Sequence, residues 1–259
     1  MCFDPDSHPP IVPIAGGALD SRRLVLTAAD GNRLAAFEAR AAAPSGAAML
    51  ILPDVRGLHP YYEELALRFA EAGVDALAID WFGRTAGAEP RPSTFEYRPH
   101  VNETTWPGLE ADIRAGHEAL GAVREEAARG SFAIGFCFGG RLSFLAATLG
   151  LGLSGVVGFY GPPVGSHYNG SPAPADVAGS MRGRVLGIYG GADEGLPPDK
   201  VAQFDAALAE AGVDHRVITY PGAPHSFFDR KAADYAEASA AAWAETLRLV
   251  REGLDTPVT

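Results

Sequence analysis

At 259 residues the chain is long enough to bury one large core. Apolar residues make up 47% and charged residues 20%, which excludes a collagen, a coiled coil and a wholly disordered chain. A formal net charge of −11 leaves no basic surplus for phosphates and argues against nucleic acid as a partner. No apolar run approaches the ~20 residues that span a bilayer, and the first ten residues lack the basic and apolar regions of a secretory signal. A cytoplasmic protein with no membrane partner is expected. Of the two cysteines, Cys2 lies in the N-terminal tail and Cys137 in a glycine-rich turn. In a reducing compartment Cys137 is a lone free thiol.

Residues 1–21 are punctuated by Pro and Gly and read as an N-terminal surface segment, followed by a single domain over 22–254. Strands are expected over 23–27 and 33–39, joined by the turn signal Asp30-Gly31-Asn32. The continuous apolar run 47–53 suits a strand buried on both faces. A helix over 61–72, stopped by Gly73, leads to a strand over 74–79. Residues 81–106, rich in Pro, Arg, Gly and Thr, form an irregular excursion. A long helix over 107–129 starts on Pro107 and precedes a strand over 131–136 and a helix over 140–149. A strand over 153–160 opens into a second Pro/Gly-rich stretch, 161–180. The last elements are strands over 184–189 and 216–220 and helices over 198–211 and 232–252. This alternation implies an α/β fold: a doubly wound, mostly parallel sheet with helices on both faces. Such sheets put their sites at the carboxyl ends of the strands.

The chemistry centres on Gly135-Phe136-Cys137-Phe138-Gly139, which leaves an apolar strand and opens a helix. A nucleophile elbow needs this context: the turn is so tight that only glycines fit two residues before and after the nucleophile. The helix directs its N-terminal dipole at the sulfur, the polarity that suits an anionic nucleophile. Three of the seven histidines follow Cys137, namely His167, His215 and His225. His225, in Gly222-Ala223-Pro224-His225-Ser226-Phe227, stands after the last strand, where a base is delivered. His215 lies at the wrong end of that strand and reads as a surface residue; His167, in an irregular loop, reads as a solvated histidine, with contact to substrate as the alternative. The orienting acid follows the preceding strand, in Gly190-Gly191-Ala192-Asp193-Glu194. Asp193 is preferred to Glu194, and Asp199 reads as a first-turn helix charge. Two backbone N–H groups for an oxyanion are expected from Phe138 and from the turn Asp54-Val55-Arg56-Gly57, with Val55 preferred and Arg56 the alternative.

The elbow, the Gly-Gly-Ala-Asp193 turn and the Gly-x-Pro-His225-Ser226-Phe227 turn together resemble the dienelactone hydrolase (carboxymethylenebutenolidase) family, from about residue 22 to 252. The resemblance implies a compact α/β-hydrolase with little or no cap and a Cys–His–Asp triad. It implies no metal or organic cofactor, and an enol-lactone opened through a thioester. It also implies an acid that contacts the resting thiol, at the position of Asp54. That family holds a substrate carboxylate with Arg side chains, one of them shortly after the catalytic His. Here the Arg is displaced by one residue to Arg230, ~100° around a helix, and Asp229 takes its place. Arg56, Arg84 and Arg98 (with Arg91 in the same excursion) are further candidates for substrate contact, as are Tyr160 and Phe227. Trp81, Phe82, Tyr97 and Trp106 are aromatic residues near the expected mouth. The expected partner is a small ester or lactone, and the expected assembly a monomer or small homo-oligomer. The alternatives are a hydrolase of the same fold acting on thioesters or peptides, and a catalytically idle ligand-binding homologue.

Overall fold

The computed structural model describes residues 7–122 and 129–255. Eight strands form one sheet: β1 (Ala18–Thr27), β2 (Arg33–Ala41), β3 (Ala47–Leu52), β4 (Val74–Ile79), β5 (Gly130–Phe136), β6 (Gly155–Phe159), β7 (Arg184–Gly190) and β8 (His215–Tyr220). Their order is β1-β2-β4-β3-β5-β6-β7-β8. The β1/β2 and β2/β4 pairs are antiparallel and every later pair is parallel. β3 and β4 are buried at every position, which explains their unbroken apolar runs.

The helices are α1 (Pro60–Glu71), α2 (Gly83–Ala86), α3 (Tyr97–Asn102), α4 (Trp106–Ala122), α5 (Phe138–Ala146), α6 (Pro198–Glu210) and α7 (Ala236–Asp255). Two glycines of β6 show how they are divided. A Cβ on Gly155 would sit 2.9 Å from Leu249 of α7, and one on Gly158 would sit 2.2 Å from Phe144 of α5. Residues three apart on a strand face opposite ways, so α5 and α7 cover opposite faces. Phe69 of α1 packs on Trp243 of α7 at 4.8 Å, and Phe144 packs on Phe204 of α6 at 4.8 Å. α1 therefore joins α7, and α6 joins α5. The expected doubly wound architecture is the observed one.

Several boundaries differ for local reasons. The final helix begins at Ala236 rather than 232 because residues 226–235 run as successive turns. There the carboxylate of Asp229 accepts Arg230 N–H, and a side-chain acceptor of this kind competes with helix propagation. α5 starts at Phe138, directly from the elbow, and ends at Ala146, where Ala147 and Thr148 N–H bond the carbonyls three residues back. The excursion 81–106 is more ordered than expected. It contains α2 and α3, and Arg91 clamps it with a two-pronged bond to the buried Asp80, at 2.7 and 2.6 Å. The helix expected over 107–129 is seen to Ala122; 123–128 fall outside the described residues. Among the described residues no helix is long and apolar enough to cross a membrane.

Candidate active site

Parallel register brings the strand ends into one row: Leu52 pairs with Gly135, Phe136 with Phe159, Phe159 with Ile188, and Gly190 with Tyr220. The residues just past these ends come from five turns and meet at one edge of the sheet. Cys137 has φ 54° and ψ −109°, and its N–H donates to Phe159 O at 2.9 Å. The flanking glycines are obligatory. A Cβ on Gly135 would lie 1.9 Å from Gly139 O, and one on Gly139 would lie 2.1 Å from Leu52 O. Three non-glycine residues among those described have positive φ, namely Cys137, Tyr160 (39°) and Ser226 (64°). All three stand at this edge. Each costs on the order of 1–3 kcal/mol, so strain is concentrated where the surrounding structure holds the chain most firmly.

The turns after β7 and β8 are zipped together by backbone bonds, Gly191 N–H to Tyr220 O (2.9 Å) and Ala192 N–H to Ala223 O (2.9 Å). This brings Asp193 to His225, whose Nδ1 donates to Asp193 Oδ2 at 2.6 Å. The carboxylate is almost fully covered and its other oxygen accepts Gly195 N–H at 2.9 Å, while the imidazole is 31% exposed. A fixed acid thus holds a partly open base whose Nε2 is the acceptor. Cys137 is a free, partly exposed thiol.

The turn after β3 packs directly on the start of α5, since the space a Gly139 side chain would fill is taken by Leu52 O and Pro53 O. Val55 and Phe138 therefore lie at the same edge, and the Phe138 amide, first in α5, has no partner within the helix. Asp54 is fully buried. Its Oδ1 accepts Arg56 N–H at 2.8 Å, and its own N–H donates to Tyr62 Oη at 2.9 Å, so it shapes the turn as well as placing an acid in the site.

A second buried carboxyl belongs to Asp229, the residue in the expected place of an Arg. It is 4% exposed and accepts the Tyr160 hydroxyl at 2.7 Å. The Tyr160 ring in turn lies 4.7 Å from the His225 ring. Burial, reinforced by the neighbouring charge of Asp54, pushes the Asp229 carboxyl up to about 8; its bonds to Tyr160 and Arg230 N–H oppose this. Buried Tyr61, which donates to Phe228 O at 3.1 Å, is pushed well above its ordinary value by burial and by the same two acids. The floor of the site is acidic and tyrosine-rich.

The arginines expected to contact substrate do not converge here. Arg84 is committed to Asp30 at 2.6 Å and to the buried Asp112 at 2.5 Å. Arg98 and Arg230 are exposed. Arg56 extends over the Tyr97 ring at 5.8 Å and lines a pocket of about 100 Å³ with His59, Arg91 and Phe95. Phe227 is fully buried among Phe159, Tyr160 and Tyr220 and forms floor rather than mouth. His167 is not a solvated loop histidine. It packs on Phe138 at 5.6 Å, and burial keeps its imidazole below the ordinary value. His215 is partly buried, bonded to Val213 O at 2.7 Å and facing Asp205 at 3.2 Å. Sequence reasoning placed Asp229 after the base but missed its burial, and it missed Tyr168 and Arg141 altogether. A loop tyrosine, and a helix arginine whose partners lie 21 to 31 residues away, give no local signal.

Comparison with known proteins bears on the family and the fold. Residues 34–254 match the Dienelactone hydrolase family. A Salmonella typhimurium protein named "Putative carboxymethylenebutenolidase" is 31% identical over 221 residues, which is 81% of this chain and 79% of that one. A Yersinia pestis protein of the same name is 29% identical over 222 residues, covering 84% and 83%. Among solved structures, a "Putative Dienelactone Hydrolase" from Klebsiella pneumoniae superposes with TM-score 0.76 at 25% identity, over 90% of this chain and 99% of that one. A dienelactone hydrolase-like promiscuous phosphotriesterase from metagenomic libraries shares the fold, with TM-score 0.72 at 24% identity over 91% and 99%. With its α/β-hydrolase fold and a family match running from β2 into α7, this chain belongs to the dienelactone hydrolase family of lactone- and ester-cleaving enzymes.

Proposed function

We propose that this protein hydrolyses small lactones or esters by acyl transfer to Cys137, with His225 as base, Asp193 as its orienting acid, and no cofactor. The observation that carries the reading is the pairing of a strained, partly open Cys137 elbow with a His225–Asp193 couple at the same sheet edge. His225 Nε2 takes the thiol proton and the sulfur attacks the carbonyl carbon. The N–H groups of Phe138 and Val55 receive the oxyanion. On collapse the C–O bond breaks, and the imidazolium returns its proton to the leaving alkoxide or enolate. The acyl group remains as a thioester. His225 then deprotonates water, which attacks the thioester and releases the acid and the thiol. Asp54, at the position of a thiol-contacting acid, adds negative charge beside this centre and fixes the Val55 turn. One domain over 22–254 suffices for these steps, and a cytoplasmic setting would keep the lone thiol reduced.

The charge around the site supports uncharged substrates. Asp229 stands where a cation would meet a substrate carboxylate, and Arg84 and Arg91 are bound to acids of the protein. An anionic acyl group would be desolvated here beside the buried Asp54. The test is a panel of nitrophenyl esters and small lactones, each with and without a carboxylate, run beside Cys137→Ala. Turnover of neutral members, abolished in the variant, together with a Cys137-linked acyl adduct in acid-quenched mass spectra, is the expected result. Equal activity in Cys137→Ala would reject the nucleophile. Absence of turnover on every member would favour the thioester, peptide or non-catalytic alternatives.

A further inference from the structure

One turn beyond Cys137 on α5 lies Arg141, 1% exposed. A buried arginine ordinarily faces a carboxylate. This one instead spreads its guanidinium over a single loop. Nε donates to Ser171 Oγ (3.2 Å), Nη1 to Pro162 O (2.9 Å), and Nη2 to Gly165 O (2.9 Å), Pro172 O (2.8 Å) and Ser171 O (3.3 Å). Burial lowers it to about 10, against the opposing charge of Asp176, so it remains a cation at neutral pH, hydrogen-bonded to carbonyls of the loop. The loop is tied at its far side as well, where Trp106 N–H donates to Asn169 O at 2.7 Å and Ser171 N–H to Asn169 Oδ1 at 2.9 Å.

At the tip, the His167 ring packs on Phe138, the residue after Cys137, and the Tyr168 ring lies 4.1 Å from His167. Tyr168 is 55% exposed, yet its hydroxyl bonds the Thr104 side chain, and burial followed by the Cys137 charge pushes the phenol up to about 12. The ring therefore lies beside His167, which packs on the residue following Cys137, and it stands partly in solvent with its hydroxyl tied to Thr104.

We propose that Tyr168 is a specificity-determining residue, a fixed wall at the mouth of the Cys137 site that limits acyl-group size, and that Arg141 is the positioning residue holding it there. The proposal rests on Cys137 being the reactive thiol. It makes 161–172 part of the rigid site rather than an opening lid. Arginine is required because a lysine ammonium has three donors on one atom and cannot span carbonyls on both sides of the loop.

The test compares wild type, Tyr168→Ala, Tyr168→Phe and Arg141→Lys by three measurements. Nitrophenyl acetate, butyrate and octanoate report acyl size. Alkylation of Cys137 by iodoacetamide and by a bulky maleimide reports access without turnover. Hydrogen exchange reports loop order. Tyr168→Ala should raise the octanoate-to-acetate ratio of kcat/KM, and the bulky-to-small alkylation ratio, by about tenfold. Tyr168→Phe should leave both ratios unchanged, since the ring forms the wall. Arg141→Lys should speed amide exchange over 165–171 about tenfold while β5 and β7 stay protected, and should shift both ratios toward those of Tyr168→Ala. Unchanged ratios in Tyr168→Ala would overturn the wall, and unchanged exchange in Arg141→Lys would overturn the staple. Should no ester be turned over, the proposed function fails, and the alkylation ratio alone decides the wall.

Discussion

The elbow and the excursion 81–106 were both glycine- and aromatic-bearing stretches at strand ends, yet they obey different constraints. At the elbow every backbone atom is fixed by contacts that no side chain could survive, such as the 1.9 Å between a hypothetical Gly135 Cβ and Gly139 O. In the excursion, beyond the close approach of Gly83 to Arg33 O, the arrangement is held by the acid each arginine finds: Arg84 with Asp30 and Asp112, Arg91 with Asp80. Steric necessity writes itself into local sequence. Long-range charge pairing does not, and in this protein it engages Arg84 and Arg91 with acids of the chain itself.

The largest effect should come from breaking the rigid half. Asp193→Asn removes the acceptor that orients His225 while leaving the volume intact, and an amide can present its N–H to Nδ1 and impose the wrong tautomer. The expected loss is about 10⁴-fold in kcat with a folded protein, read by ester turnover and circular dichroism. A loss below about tenfold would mean that the acid is not part of the reacting unit.

A prediction of intermediate size concerns the charge-paired half. Arg84→Gln leaves Asp112 buried with the bond from Asn32 but no cation facing it, and Asp112 is already held above the ordinary carboxylate range by burial. Breaking such a pair from one side should cost about 2–4 kcal/mol, measured by urea unfolding. The ratio of anionic to neutral ester turnover should not change, because this guanidinium is occupied by protein acids. A fall in that ratio would return Arg84 to the substrate site.

What was legible follows the same division. The strand ends, the three turns bearing Cys137, Asp193 and His225, and the doubly wound sheet could be read because apolar runs and obligatory glycines are local signals. Arg230 is exposed, but on the run of turns 226–235 rather than on a helix, so the ~100° helical rotation expected of it does not apply. Neither the burial of Asp229 nor the reach of Arg141 across to 162–172 could be read. Each depends on a partner distant in sequence, Tyr160 for the one and a loop of carbonyls for the other. His167 was misjudged for that reason too: its ring finds Phe138 only once the loop is folded back.

A smaller effect belongs to Asp229 and has a definite sign with pH. Its carboxyl is held at about 8, chiefly by burial, against about 4 in the unfolded chain. Below pH ~4 both states are protonated and the group is neutral to stability; between ~4 and ~8 the unfolded chain gives up its proton while the folded protein retains it. Stability therefore falls as pH rises through that window, and the penalty is complete above about 8. Asp229→Asn keeps an acceptor for Tyr160 without the penalty. It should match wild type near pH 4.5 and be more stable by about 1–2 kcal/mol at pH 8.5 in urea unfolding. A constant difference across that range would show that Asp229 is ionised in the folded protein.

The smallest effect, Arg230→Gln, sharpens the comparison most. Arg230 is exposed and its N–H, not its guanidinium, donates to Asp229, so the substitution should change stability by less than about 0.5 kcal/mol. If its guanidinium reached a substrate carboxylate, KM for anionic esters alone would rise by about tenfold, as expected for losing a charge-assisted bond. The structure leads to the opposite expectation, no selective change. Arg56→Gln is the matched control, since Arg56 adjoins Val55 and lines the neighbouring pocket. A selective effect at Arg56 with none at Arg230 would mean that any recognition of negative charge has moved from the turn bearing the base to the turn bearing the oxyanion donor. At the base-bearing turn Asp229, held protonated by burial, supplies no cation to receive it.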